Sequence, residues 1–130
     1  MDLKLSLAGV AVAVAAMTGA AFASAEDYAF TPVQADLAKG DEVTVAVRLV
    51  HKPTGNPVSG AVIIRTRMDM GPDGMPEMAT PVKPSAAAEA GTYAFKADLS
   101  MPGRWAFSLA AKVHGEPETV VGKITLTVKP

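Results

Sequence analysis

Beyond residue 40 the chain alternates apolar and polar side chains in short runs. In "EVTVAVRLV" (42–50), Val43, Val45, Val47 and Leu49 fall on one face, opposite Glu42, Thr44 and Arg48. "AVIIRTRM" (61–68) places Val62 and Ile64 opposite Arg65 and Arg67. "TYAFKADL" (92–99) aligns Tyr93, Phe95, Ala97 and Leu99, and "RWAFSLAAKV" (104–113) aligns Trp105, Phe107, Leu109, Ala111 and Val113. "TVVGKITLTV" (119–128) aligns Ile124, Leu126 and Val128. Period-two runs of this kind predict half-buried strands, with the apolar set turned inward.

Turn chemistry separates the runs at "KGD" (39–41), "HKPTGNPVSG" (51–60), "MPGR" (101–104) and "HGEPE" (114–118). Two weaker strands are expected over 28–37 and 78–83. Pro32 and Pro81 place both at sheet edges, where a missing amide donor costs least. The segment 84–91, "PSAAAEAG", reads as a crossing loop. About seven short strands at turn spacing predict an all-β, immunoglobulin-like antiparallel β-sandwich.

The first 25 residues stand apart. A weakly basic start, a continuous apolar run and "AFASA" form the layout of an N-terminal signal peptide helix, cleaved after Ala25 or Ala23. An uncleaved anchor is the alternative. No twin arginine precedes the apolar run, so export in the unfolded state is expected, into the periplasm or otherwise outside the cytoplasm. Residues 26–130 then form one domain, long enough to bury a core without staples.

Charge and composition exclude several classes. The formal net charge is −1, with no long basic run, which argues against nucleic acid and against lipid insertion by the mature domain. Cysteine is absent, so neither a disulfide framework nor a thiolate ligand exists, and a blue-copper electron carrier is ruled out. No catalytic or nucleotide-binding motif occurs, and His51 and His114 sit in separate Pro/Gly-rich turns. No enzymatic activity is expected.

What chemistry there is lies in "MDMGPDGMPEM" (68–78), which holds four of the five methionines beyond the leader. Gly71, Pro72, Gly74 and Pro76 break this stretch too often for core helix or strand, so a loop is expected. Thioether sulfur is a soft, neutral ligand suited to Cu(I) or Ag(I), needs no deprotonation, and does not form disulfides outside the cell. Met70, Met75 and Met78 are the expected three-sulfur set. Met68 shares a face with Met70 and is a further ligand or a packed core residue. If 78–83 crosses as a strand, Met101 reaches the same end of the sandwich and both histidines the opposite one. Trp105 could offer a cation its ring face, but its phase with Phe107 and Leu109 marks it as core. Methionine is also filler and a constituent of adaptable docking surfaces. Asp69, Asp73 and Glu77 do not have the spacing of a calcium loop, and their expected part is to keep the loop solvated and attract cations.

The succession "GNPVSGAVI…MDM…GM…GTYAFKADLSMPGRWAFSL" resembles the YtkA-like domain, related to the periplasmic part of FixH proteins, over about residues 40–128. That resemblance implies an exported β-sandwich associated with heavy-metal, mainly copper, handling or with copper-oxidase assembly. FixH proteins keep a membrane anchor, whereas the leader here has a cleavable layout. Three readings follow. The first is a monomeric periplasmic metal chaperone that binds Cu(I) or Ag(I) through the methionine-rich loop. It would deliver the ion to a membrane-bound metal transporter or copper-oxidase assembly complex. The second is a periplasmic adaptor that docks on such a complex without binding metal. The third is an immunoglobulin-like module of unrelated purpose.

Overall fold

The computed structural model describes residues 25–87 and 89–130. The expected leader, 1–25, lies outside them but for its last residue. Ten strands are described: β1 (Tyr28–Pro32), β2 (Asp36–Ala38), β3 (Gly40–His51), β4 (Asn56–Pro57), β5 (Val62–Met70), β6 (Met75–Thr80), β7 (Val82–Ser85), β8 (Thr92–Leu99), β9 (Gly103–Lys112) and β10 (Val120–Lys129). They form two sheets. The first runs β1-β3-β8-β7, with β4 also on β3, and the second runs β2-β10-β9-β5-β6. All pairings are antiparallel except that of β2 with β10. The chain is an immunoglobulin-like β-sandwich.

The long alternating runs fold as their pattern predicts. Val45, Val47 and Leu49 of β3, Phe95, Ala97 and Leu99 of β8, and Trp105, Phe107 and Leu109 of β9 are all buried. Full burial of a Leu or Phe side chain stabilises by roughly 1.5–3 kcal/mol. Phe95 and Phe107 join the sheets edge to face, with ring centroids 5.2 Å apart.

Both weak strands divide between the sheets. Val33 N–H still donates to Ala46 O of β3 at 3.0 Å, but Ala35 O already accepts from Thr127 N–H of β10 at 2.8 Å. The expected strand 28–37 is therefore β1 in one sheet and β2 in the other. Likewise 78–83 changes sheet at Pro81, from β6 on β5 to β7 on β8. Proline, which cannot donate to a ladder, sits at each departure. All four of these short strands are sheet edges.

The inward assignment of Val62 and Ile64 is corrected. Ile63 pairs with Ala111 and Arg65 with Ala110, so Ile64 is the extra residue of a β-bulge. The bulge reverses the phase: Ile63 packs against the core, while Ile64 is 47% and Val62 61% exposed. Beyond it Thr66, Met68 and Met70 alternate inward with Arg65, Arg67 and Asp69 outward.

Candidate metal centre at the methionine end

The stretch 68–78 is a hairpin, not a loop: all four of its methionines lie on strands, two on β5 and two on β6. Only 71–74 turns. Gly71–Asp73 make one 3-10 turn, with Pro72 inside it, and Gly74 closes it at φ 79°, donating its N–H to Gly71 O at 2.8 Å. That left-handed backbone favours glycine. The prolines and glycines that argue against a core helix or strand through this stretch are thus concentrated in, or next to, a tight reversal.

Two arginines fasten this turn. Arg104 at the start of β9 donates its backbone N–H to Asp73 Oδ2 (2.9 Å), its Nε–H to Asp73 Oδ1 (2.8 Å) and its Nη2–H to Pro72 O (2.8 Å). Arg67 on β5 donates Nε–H to Asp69 Oδ2 (2.8 Å) and Nη2–H to Pro76 O (2.9 Å), while Asp69 Oδ1 accepts from Gly71 N–H (2.8 Å). The backbone bond from Arg104 and then its side-chain bond hold the Asp73 carboxyl below its ordinary range. Asp69 and Asp73, expected to keep a loop solvated, are therefore its fasteners. The arginines that complete the clamps were not foreseen, because Arg104 is 31 residues from Asp73. The one local hint is the Arg-x-Asp alternation of 67–69, which puts both side chains on one strand face.

Methionine burial is graded across this end. Met68 and Met70 are sealed in the core, at 0% and 1% exposure. Met68 is the cross-strand partner of Phe107 and Met70 that of Met75. Met75 is half-buried against the core, while Met78 and Met101 are 36% and 40% exposed. The expected set of Met70, Met75 and Met78 is therefore not gathered on one open surface. Met70 lies beneath, and Met75, Met78 and Met101 are the methionines with side chains partly or largely open to solvent.

Gly103 locates the turn carrying Met101. A side chain at this residue would meet the Met70 methyl carbon at 2.7 Å and Asp73 Oδ2 at 2.5 Å. The 100–103 turn consequently packs on the methionine hairpin, at the end where parity placed it. Trp105 is buried and donates its Nε1–H to Met101 O at 3.0 Å, fixing that turn from inside. Its ring belongs to the core.

His51 and His114 lie at the other end. Tyr28 O–H donates to Glu116 Oε2 at 2.8 Å, tying the 114–118 turn to β1, and the Tyr28 ring stands 5.2 Å from that of His51. Burial first, then this bond, pushes the Tyr28 hydroxyl pKa up. Among the described residues no three His, Cys, Asp or Glu side chains group around a possible cation.

The YtkA-like family model matches residues 22–110. The chain belongs to the YtkA-like family. The matched region contains both arginine clamps and Met68, Met70, Met75, Met78 and Met101, and it stops before β10. No curated protein matches the chain. Among solved structures, the filamin domain of Lin-41 is similar, at 17% identity over 74% of this chain and 91% of that one, with a TM-score of 0.41. The ZirS C-terminal domain is similar at 13% identity over 82% and 70% of the two chains, with a TM-score of 0.42.

Proposed function

We propose that this YtkA-like protein is an exported carrier of Cu(I) or Ag(I), which it holds at the methionine end and passes to a membrane-bound transporter or oxidase-assembly partner. One observation carries the reading: three methionines not sealed in the core, the half-buried Met75 and the exposed Met78 and Met101, lie at an end fastened by two arginine–carboxylate clamps. Neutral sulfur desolvates a soft monovalent ion without proton release. A surface site of this kind suits exchange more than retention, because a partner's ligands can replace the sulfurs one at a time. Met68 and Met70 supply polarizable packing beneath the site. A periplasmic adaptor that binds no metal is the second reading, favoured by an open groove between the sheets.

Competition for Cu(I) against a chromophoric chelator tests the proposal on the mature protein. Wild type is expected to withdraw one ion, and Met75→Leu/Met78→Leu/Met101→Leu to lose that competition. Met68→Leu/Met70→Leu should keep it. A wild type that competes no better than the exposed-methionine triple variant leaves the adaptor.

A further inference from the structure

The two sides of the sandwich are closed differently. On one, Phe30 of β1 lies so close over β10 that a side chain at Gly122 would meet its ring at 2.7 Å. On the other, β6 covers only the last residues of β5, pairing with Met68, Asp69 and Met70. Over 62–67, β5 has its ladder to β9 and, among the described residues, no strand on its outer side. Beside this bare edge runs a groove of about 560 Å³ between the sheets, lined among others by Ile63, Val82, Pro84, Tyr93 and Phe95. Thr92 also lines it, and its hydroxyl is buried without a hydrogen-bond partner among the described residues.

Other edges are blunted by the usual means. β1 ends at Pro32, β6 contains Pro76 and stops before Pro81, β7 contains Pro84, and β2 is three residues long. Residues 62–67 contain no proline; their only guards are the bulge at Ile64 and the charges of Arg65 and Arg67. Those charges discriminate between occupants. Arg67 is held by Asp69, but among the described residues Arg65 has no acidic partner, and neither have Lys112 and Lys123 on the same outer face. A second copy of this edge would set arginine against arginine. A carboxylate-bearing strand would not.

We propose that β5 accepts an added strand along 62–67: an extended segment of a partner protein in which apolar side chains alternate with carboxylates. Its backbone continues the second sheet beyond β5. Its apolar side chains enter the groove over Val82, Tyr93 and Phe95, and its carboxylates fall on the outer face beside Arg65. None of this requires metal, so the edge serves the carrier and adaptor readings alike.

Metal-free mature protein is titrated with labelled octapeptides alternating Val with Glu, alternating Val with Lys, or scrambled from the first composition. Amide spectra and fluorescence anisotropy are recorded. The Val/Glu peptide should shift amides of 62–67, leave those of β1 and β10 in place, and weaken with added salt. It should bind Arg65→Glu about fivefold more weakly, with the Val/Lys peptide gaining on that variant. Arg65 is a surface side chain, so the variant's unperturbed spectrum establishes its fold. Equal binding of all three peptides, or shifts outside β5 and the groove, overturns the proposal. So does concentration-dependent dimerisation through 62–67 in sedimentation, which gives the edge to a second copy.

Discussion

The two ends of the sandwich are held by opposite means. At the methionine end, carboxylates accept from arginines: Asp73 from Arg104 and Asp69 from Arg67, all at the rim of a hairpin whose inner methionines are core. At the histidine end a neutral hydroxyl donates to a carboxylate, Tyr28 to Glu116, and an aromatic pair replaces the guanidinium clamp. The first end depends on charge being present and the second on a proton staying in place. On the proposed carrier reading, such bracing makes the surface rigid before an ion arrives, whereas ordering it afterwards would weaken binding. Only the methionine end has that cross-bracing among its described side chains.

Removing the packing beneath the methionine end is the most damaging way to break this contrast. Met70→Ala deletes a side chain that is 1% exposed and leaves a cavity between β5, β6 and the Gly103 turn. A loss of about 2–5 kcal/mol is expected, read as a lower urea midpoint at unchanged slope. Met78→Ala, on the same hairpin but at the surface, should stay within about 0.5 kcal/mol of wild type. Equal losses from both would mean that the burial gradient across the hairpin has no energetic content.

That gradient also marks where sequence reasoning stops. Alternation at Val45, Val47, Leu49, Phe107 and Leu109 found the core, because a two-residue period on a long strand leaves one face to bury. It failed at Val62 and Ile64 because one bulged residue, invisible in composition, reverses the phase of everything before it. Prolines marked the edges, but not that the chain changes sheets beside Pro32 and at Pro81, since sheet membership depends on the partner strand. The methionines drew attention to one end of the sandwich, and the parity of the strands brought the turn of Met101 to that end. Which sulfurs face solvent depended on Met70 pairing with Met75 across a tight hairpin, where a loop had been expected. The clamp of Arg104 on Asp73 joins residues 31 positions apart, and no local pattern encodes that.

A smaller loss tests the other end. Tyr28→Phe keeps the ring against His51 and deletes only the bond donated to Glu116. The expected cost is about 1 kcal/mol, with faster amide exchange in the 114–118 turn and none gained in 71–75. Spread of the effect to the methionine hairpin would show that the two ends open together.

The smallest effect is the most discriminating, because the two ends should respond to pH with opposite sign. Asp73 has a folded pKa below its unfolded value of about 3.9. Its contribution is complete well above that value and is lost as the pH falls through the lowered folded pKa, when the unfolded chain no longer differs in bound protons. Tyr28 has a folded pKa above its unfolded value of roughly 10. Its contribution is complete below that value and is lost as the pH rises through the raised one, where a phenolate would face the Glu116 carboxylate. Acid should therefore release the Arg104 Nε proton and the amides of 71–75 to exchange while the Tyr28 ring stays fixed. Alkali should free the 114–118 turn and leave the clamp of Arg104 on Asp73 intact, since the lowered pKa of Asp73 keeps that carboxyl charged throughout this limb. Residue-resolved NMR across both limbs separates the two. If both ends loosen on the same limb, they are not held by opposite charge states, and the methionine end has no bracing of its own to offer an ion.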